Sequence, residues 1–132
     1  MKVFSRVVRL RTYGPMRFFD ITLAAAEIAQ RCSGEGVLRV FSKGSTSALV
    51  LAPPGILDEL SAVLSKLIPV EGWRHGNAYA HLRSVVLSTV RYIPVERGRL
   101  LIPDGYRLYF LETRPVLNHW REVVTELFCS SR

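Results

Sequence analysis

Trp120-Arg-Glu-Val-Val-Thr-Glu-Leu-Phe128 is the stretch whose reading decides the fold. Trp120, Val123, Val124, Leu127 and Phe128 recur at helical spacing, while the run of Val, Thr and Phe equally suits a strand that ends a sheet. Periodicity taken alone chooses the helix.

Working back from that stretch, Tyr106 to Glu112 alternates as a strand behind the turn Pro103-Asp104-Gly105. It carries Tyr106, Leu108 and Phe110 on one face and Tyr109 and Leu111 on the other. Thr89 to Val95 reads as a strand, Glu96-Arg-Gly98 as a turn, and Arg99 to Ile102 as the return. Ile56, Leu57, Leu60, Val63, Leu64, Leu67 and Ile68 share one helical face, with Asp58 and Glu59 in the first turn and Lys66 in the last, which makes this the clearest helix. The β-rich runs Gly36 to Phe41 and Thr46 to Ala52 predict a hairpin across Ser42-Lys-Gly-Ser45. Lys2 to Thr12 and Arg17 to Phe19 predict another across Tyr13-Gly14-Pro15. Between these hairpins Ile21, Ala24, Ala25, Ile28, Ala29 and Cys32 fall at helical spacing, started by Asp20 or Thr22 and stopped by Ser33-Gly34. The expectation is an α+β fold in one domain, residues 1–132, whose sheet has about seven or eight strands, with two main helices and one short helix.

Composition narrows the class. A chain of 132 residues can bury about two-thirds of its unfolded surface, enough for its own core. With 48% hydrophobic and 22% charged residues it reads as globular. No apolar run approaches the roughly 20 residues of a membrane span. Lys2, Arg6, Arg9 and Arg11 argue against a cleaved signal, so the expected location is cytoplasmic. Cys32 reads as a small core residue and Cys129 as a tail thiol, with no CxxC spacing to hold a metal. Net charge is +7, and 15 of the 18 basic residues are arginine, which favours anionic partners through two-point pairing with phosphate or carboxylate. The absence of a basic run and of a ribonucleoprotein motif argues against specific nucleic-acid recognition.

The chemistry-bearing stretch is His75-Gly-Asn-Ala-Tyr-Ala-His81-Leu-Arg-Ser84. His75 is placed in a loop and His81 on a short helix begun near Asn77. On one continuous helix six residues would turn the two imidazoles roughly 240° apart, so convergence needs that loop-to-helix change. His119 reads as a surface loop residue.

At these residues the chain resembles the YjbQ proteins, also called the secondary thiamine-phosphate synthase family. The resemblance spans about residues 37–112. It rests on Thr46-Ser47-Ala48 after a strand, on Trp73-Arg-His75 leading to Asn77-Ala-Tyr-Ala-His81-Leu-Arg-Ser84, and on Ile93-Pro-Val-Glu-Arg-Gly98-Arg-Leu100 before a strand ending in Glu112. It implies a compact α+β fold, a homotrimer, a polar pocket built from the histidine segments, and a strand rather than a helix at the end of the chain. His75 and His81 match the family's two downstream histidines, and Thr46, Ser47 and Asn77 fall on motif positions. The chain departs where Ser45 stands for a histidine before Thr-Ser-Ala, Pro53-Pro54 for Asn-Glu, Gly105-Tyr106 for Trp-Gln, and Tyr79 for an acidic residue.

Three functions follow as expectations. The first is weak thiamine-phosphate synthase-like transfer on a phosphate-bearing substrate, held by Arg83 and the hydroxyls of Thr46 and Ser47. There His81 acts as acid or base and His75 orients or protonates. The second is a catalytically degenerate trimeric module that binds an anionic metabolite. The third is nonspecific polyanion binding, which falls steeply with salt. A catalytic divalent metal wants about three protein ligands. His75 and His81 supply two, and Asn77, Ser45 and water would complete only a weakly held site.

Overall fold

The computed structural model describes residues 1–130. In chain order the elements are β1 (Lys2–Thr12), β2 (Arg17–Asp20), α1 (Thr22–Ala29), β3 (Glu35–Ser42), β4 (Ser47–Ala52), a 3-10 turn (Pro54–Ile56), α2 (Leu57–Leu67), α3 (Ala78–Leu87), β5 (Val90–Glu96), β6 (Arg99–Leu100), β7 (Arg107–Glu112) and β8 (His119–Ser130). The α+β class holds, but the expected single sheet does not. The strands form two sheets, one of five in the order β1-β8-β3-β5-β6 and one of three in the order β2-β7-β4. The helices have 8, 11 and 10 residues, so the expected pair of main helices with one short one is corrected as well.

The reason lies in the side chains of β4 and β7. Ser47-Ala-Leu-Val-Leu-Ala52 and Arg107-Leu-Tyr-Phe-Leu-Glu112 are apolar on both faces, the signature of strands covered on both sides. Leu49, Leu108 and Phe110 join Leu38, Val40, Ile93, Val123 and Leu127 of the five-stranded sheet and Ala25, Ile28 and Ala29 of α1 in one core. Val50, Tyr109 and Leu111 face the other way and pack with Leu64 of α2. The small sheet is thus a middle layer. Both predicted hairpins dissolve for the same reason: β1 pairs with β8 while β2 pairs with β7, and β3 pairs with β5 and β8 while β4 pairs with β7. Only β5 and β6 form the expected hairpin, turning through Arg97 and Gly98, both at positive φ.

The deciding stretch is a strand. β8 is hydrogen-bonded along both edges, in register from Lys2↔Cys129 to Thr12↔His119 on β1 and from Glu35↔Ser130 to Ser42↔Val123 on β3. β-branched Val123, Val124 and Thr125 suit that central position. Arg121, Val123, Thr125, Leu127 and Cys129 point inward, while Trp120, Glu122, Val124, Glu126 and Phe128 line the opposite face. β3 approaches β8 so closely that a Cβ at Gly36 would lie 2.4 Å from the Phe128 carbonyl oxygen.

Cys32 and Cys129 are disulfide-bonded, with Cα atoms 5.5 Å apart across 97 residues of sequence. This corrects the reading of two separate thiols. Cys129 has the inward parity of β8, and Cys32 lies in the turn after α1, which packs over that end of the sheet. No helix among the described residues is long and apolar enough to cross a membrane.

Candidate functional site

Both sheets bring the same kind of residue to one end of the molecule. Thr12 closes β1, Ser42 closes β3, Ser47 opens β4, Glu112 closes β7 and Arg121 lies near the start of β8. Each sits at the inward parity of its strand, in line with residues such as Leu10, Val40, Leu49, Phe110 and Val123. The core therefore ends in a buried polar cluster.

Its centre is an ion pair. Glu112 is 0% exposed and Arg121 9%. Arg121 Nε donates to Glu112 Oε1 at 2.7 Å and Nη2 to Oε2 at 2.6 Å, a two-point fork. Thr12 Oγ1 donates to Oε1 at 2.7 Å, and the Arg114 backbone N–H reaches Oε2 at 3.3 Å. Arg121 Nη2 also donates to Thr46 Oγ1 at 2.7 Å. The Thr46 carbonyl accepts from the Thr113 N–H at 3.1 Å. Thr113 Oγ1 and Ser84 Oγ stand 2.9 Å apart and share the Ala80 carbonyl as acceptor, at 2.8 and 3.0 Å. An unbroken run of polar contacts thus joins the ion pair to α3, the helix that carries His81.

Each residue singled out in the sequence has a definite place. Thr46 lies inside the cluster as a partner of Arg121. Ser47 is fully buried and hydrogen-bonded to Ser42, while Ser45 is exposed beside them. His81 is half-buried, and its Nε2 meets Asn77 Nδ2 at 3.3 Å, one turn away on the same helix. His75 is exposed in the loop before α3, where its carbonyl accepts from the Ala78 N–H. Arg83 is buried and points away from the cluster: Nε and Nη2 both donate to the Ile68 carbonyl, at 3.0 and 2.7 Å, closing the end of α2. Burial lowers its pKa from the ordinary value, with Tyr79 opposing.

Among the described residues no three His, Cys, Asp or Glu side chains lie close enough to hold a metal ion. His75 and His81 are two ligands, against about three protein ligands at a catalytic zinc.

Glu112 and Arg121 are the residues that site reasoning from the sequence missed. Their signal was parity. A carboxylate in line with Leu108 and Phe110, and a guanidinium in line with Val123 and Leu127, must meet each other or remain buried unpaired, at a cost of several kcal/mol, roughly.

Strand order, the two layers and the polar cluster together define the class. The model of the UPF0047 protein YjbQ-like family matches residues 6–129, and the chain belongs to that family. A UPF0047 protein of Archaeoglobus fulgidus is 32% identical over 112 residues, 78% of this chain and 86% of the relative. One of Methanothermobacter thermautotrophicus is 30% identical over 121 residues, 85% of this chain and 84% of the relative. Among solved structures, a YbjQ-like protein of unknown function from Sulfolobus solfataricus P2 superposes with a TM-score of 0.90 at 22% identity, covering 98% of this chain and 99% of that one. A hypothetical protein from Aeropyrum pernix K1 gives 0.79 at 26% identity, with 100% of each chain covered.

Proposed function

We propose that the chain is a binding member of its family, taking a small phosphate-bearing or otherwise anionic ligand at the polar end of the two sheets. The observation that carries this reading is the composition of that end. The hydroxyls of Thr12 and Thr46 bond the buried Glu112–Arg121 pair, those of Ser42 and Ser47 bond each other at the neighbouring strand ends, and Ser45 is exposed beside them, whereas among the described residues no three His, Cys, Asp or Glu side chains converge. Hydroxyls and guanidinium suit an oxyanion. Melting temperature measured across inorganic phosphate, pyrophosphate, thiamine phosphate and simple carboxylates tests it. A ligand at 100 times its Kd stabilises by about 2.7 kcal/mol, and a flat response across the panel sinks the reading.

A second reading is favoured by one contact. Asn77 holds the ring of His81, and an oriented, half-buried imidazole is equipped for acid or base work in a thiamine-phosphate synthase-like transfer. Formation of thiamine phosphate from the pyrimidine diphosphate and the thiazole phosphate, abolished in a folded His81→Ala variant, would establish it. Turnover retained in that variant removes His81 from the chemistry.

Assembly and location are part of the proposal. The outward face of the five-stranded sheet carries Val3, Val7, Phe41, Tyr92 and Trp120, with Tyr92 64% and Trp120 48% exposed, a surface suited to a second and third copy of the chain. Tyr92→Glu should then shift the sedimentation of the protein from trimer to monomer. A cytoplasmic home is unusual for a disulfide, which outside hyperthermophiles belongs to oxidising compartments. Non-reducing mass spectrometry of the protein extracted under acid quench distinguishes a paired from a reduced cytoplasmic form.

A further inference from the structure

Arg121 commits only part of its guanidinium to the ion pair. Nε and Nη2 are bound to Glu112 and Thr46, while Nη1 makes no hydrogen bond among the described residues. No buried side-chain nitrogen or oxygen is left without a partner there, so Nη1 must be the edge that touches solvent. The group beside it is the backbone of the loop between β3 and β4: a Cβ built at Gly44, whose φ is +106°, would meet Arg121 Nη1 at 3.1 Å and nothing else within 4 Å.

That loop has donors to spare. The N–H groups of Gly44 and Ser45 make no hydrogen bond among the described residues. Thr46 Oγ1 accepts from Arg121, which leaves its own hydrogen free to be donated. Lys43, in the loop itself, is paired at 3.0 Å with Glu122 on the outward face of the five-stranded sheet. Arg83, by contrast, spends its fork on the Ile68 carbonyl and has none to offer.

We infer that the Lys43–Thr46 loop and the outer edge of Arg121 form the subsite for a phosphate monoester's terminal oxyanion, with Arg121 in the role that the sequence assigns to Arg83. The inference rests on the anion-binding reading above and names the atoms that would carry it. Two backbone N–H groups, one hydroxyl and one guanidinium N–H belong to this one short loop and the arginine beside it, a donor set matched to a group with three oxygens and no proton to give. Glu112 holds the guanidinium from behind, so its plane is set before any ligand arrives.

Isothermal titration with inorganic phosphate and with phenyl phosphate, repeated in Gly44→Ala, Arg121→Lys and the charge control Arg99→Gln, tests this. Gly44→Ala deletes no donor but puts a methyl against Nη1 and strains the loop at a φ of +106°, and Arg121→Lys keeps the charge while losing the fork. Both should weaken phosphate binding tenfold or more, and Arg99→Gln, on β6, should leave it within twofold. Should Arg121→Lys fail to fold, Gly44→Ala carries the test. Phosphate bound by the wild type and equally well by folded Gly44→Ala overturns the subsite and leaves the anion-binding reading standing elsewhere on the molecule. Weakening in Arg99→Gln equal to that in Gly44→Ala overturns it in favour of diffuse charge attraction. No saturable phosphate binding by the wild type overturns both.

Discussion

The two ends of β8 are fastened by opposite chemistry. At one end Arg121 is held by Glu112 through a buried charged fork, and at the other Cys129 is held by Cys32 through a covalent bond. The strand between them turns Val123, Thr125 and Leu127 to the core. The difference teaches what each fastening is for. A disulfide acts mainly on the unfolded chain, by shrinking the space it can explore. A buried ion pair adds little net stability once desolvation is counted, but it punishes the loss of either partner and fixes the direction in which its hydrogen bonds point. Only the second can orient a site.

The largest effect should come from breaking the pair on one side. Glu112→Gln leaves the Arg121 charge buried without its counter-ion and should cost about 3–5 kcal/mol in chemical denaturation, while Glu112→Leu combined with Arg121→Met should recover most of that loss. A single-variant cost under about 1 kcal/mol would mean the pair behaves as if it were in water. Next comes the covalent end. Replacing Cys32 and Cys129 together by serine should cost about 2–4 kcal/mol, read as a fall in the denaturation midpoint, and an unchanged midpoint would count against the bond.

Between the ends, the run of hydroxyls toward α3 can be cut with less damage. Thr113→Val removes the group that shares the Ala80 carbonyl with Ser84 and should cost about 1 kcal/mol. A change in the His81 ring chemical shifts in the same variant would show that the run positions α3, and unaltered shifts would confine Thr113 to stability.

The smallest effect lies far from either fastening. Burial raises the Asp20 pKa, but hydrogen bonds from Thr22 and the neighbouring Arg107 outweigh it and hold the carboxyl below its usual 3.8. A carboxyl depressed in the folded state stabilises above its unfolded pKa, and that contribution is lost as pH falls through the folded value. The group is partly exposed, so Asp20→Asn should cost only about 0.5–1 kcal/mol at neutral pH. The difference from wild type should vanish in strong acid. A constant difference at every pH would assign the effect to the Thr22 N–H hydrogen bond rather than to the carboxylate charge.

Much of this architecture was legible residue by residue. The span of α2, the turn at Arg97-Gly98 and the start of α3 at Asn77 each came from a local pattern and sit where it put them, although of the α2 stripe only Leu64 and Ile68 are buried while Ile56, Val63 and Leu67 stay exposed. What local patterns could not carry was partnership. Ser42-Lys-Gly-Ser45 has the composition of a hairpin turn, yet its flanking strands belong to different sheets, because β4 needs cover on both faces and β3 on one. The helix-like spacing of Trp120 to Phe128 gave way to two neighbouring ladders that no window of nine residues contains. At the site, Thr46 and Ser47 were visible as motif residues. Their partners Arg121 and Ser42 were not, since strand parity identifies an inward-facing charge only once the strand itself is known.

The disulfide closes residues 32–129 into a covalent ring, with β1, β2 and α1 forming a tail that leaves from it. A single proteolytic cut anywhere inside that ring, the exposed loop around Trp73-Arg74-His75 being the accessible place, separates no fragment. Nicked and whole protein would run together on a non-reducing gel, and the nicked form alone would part into two pieces when a thiol is added.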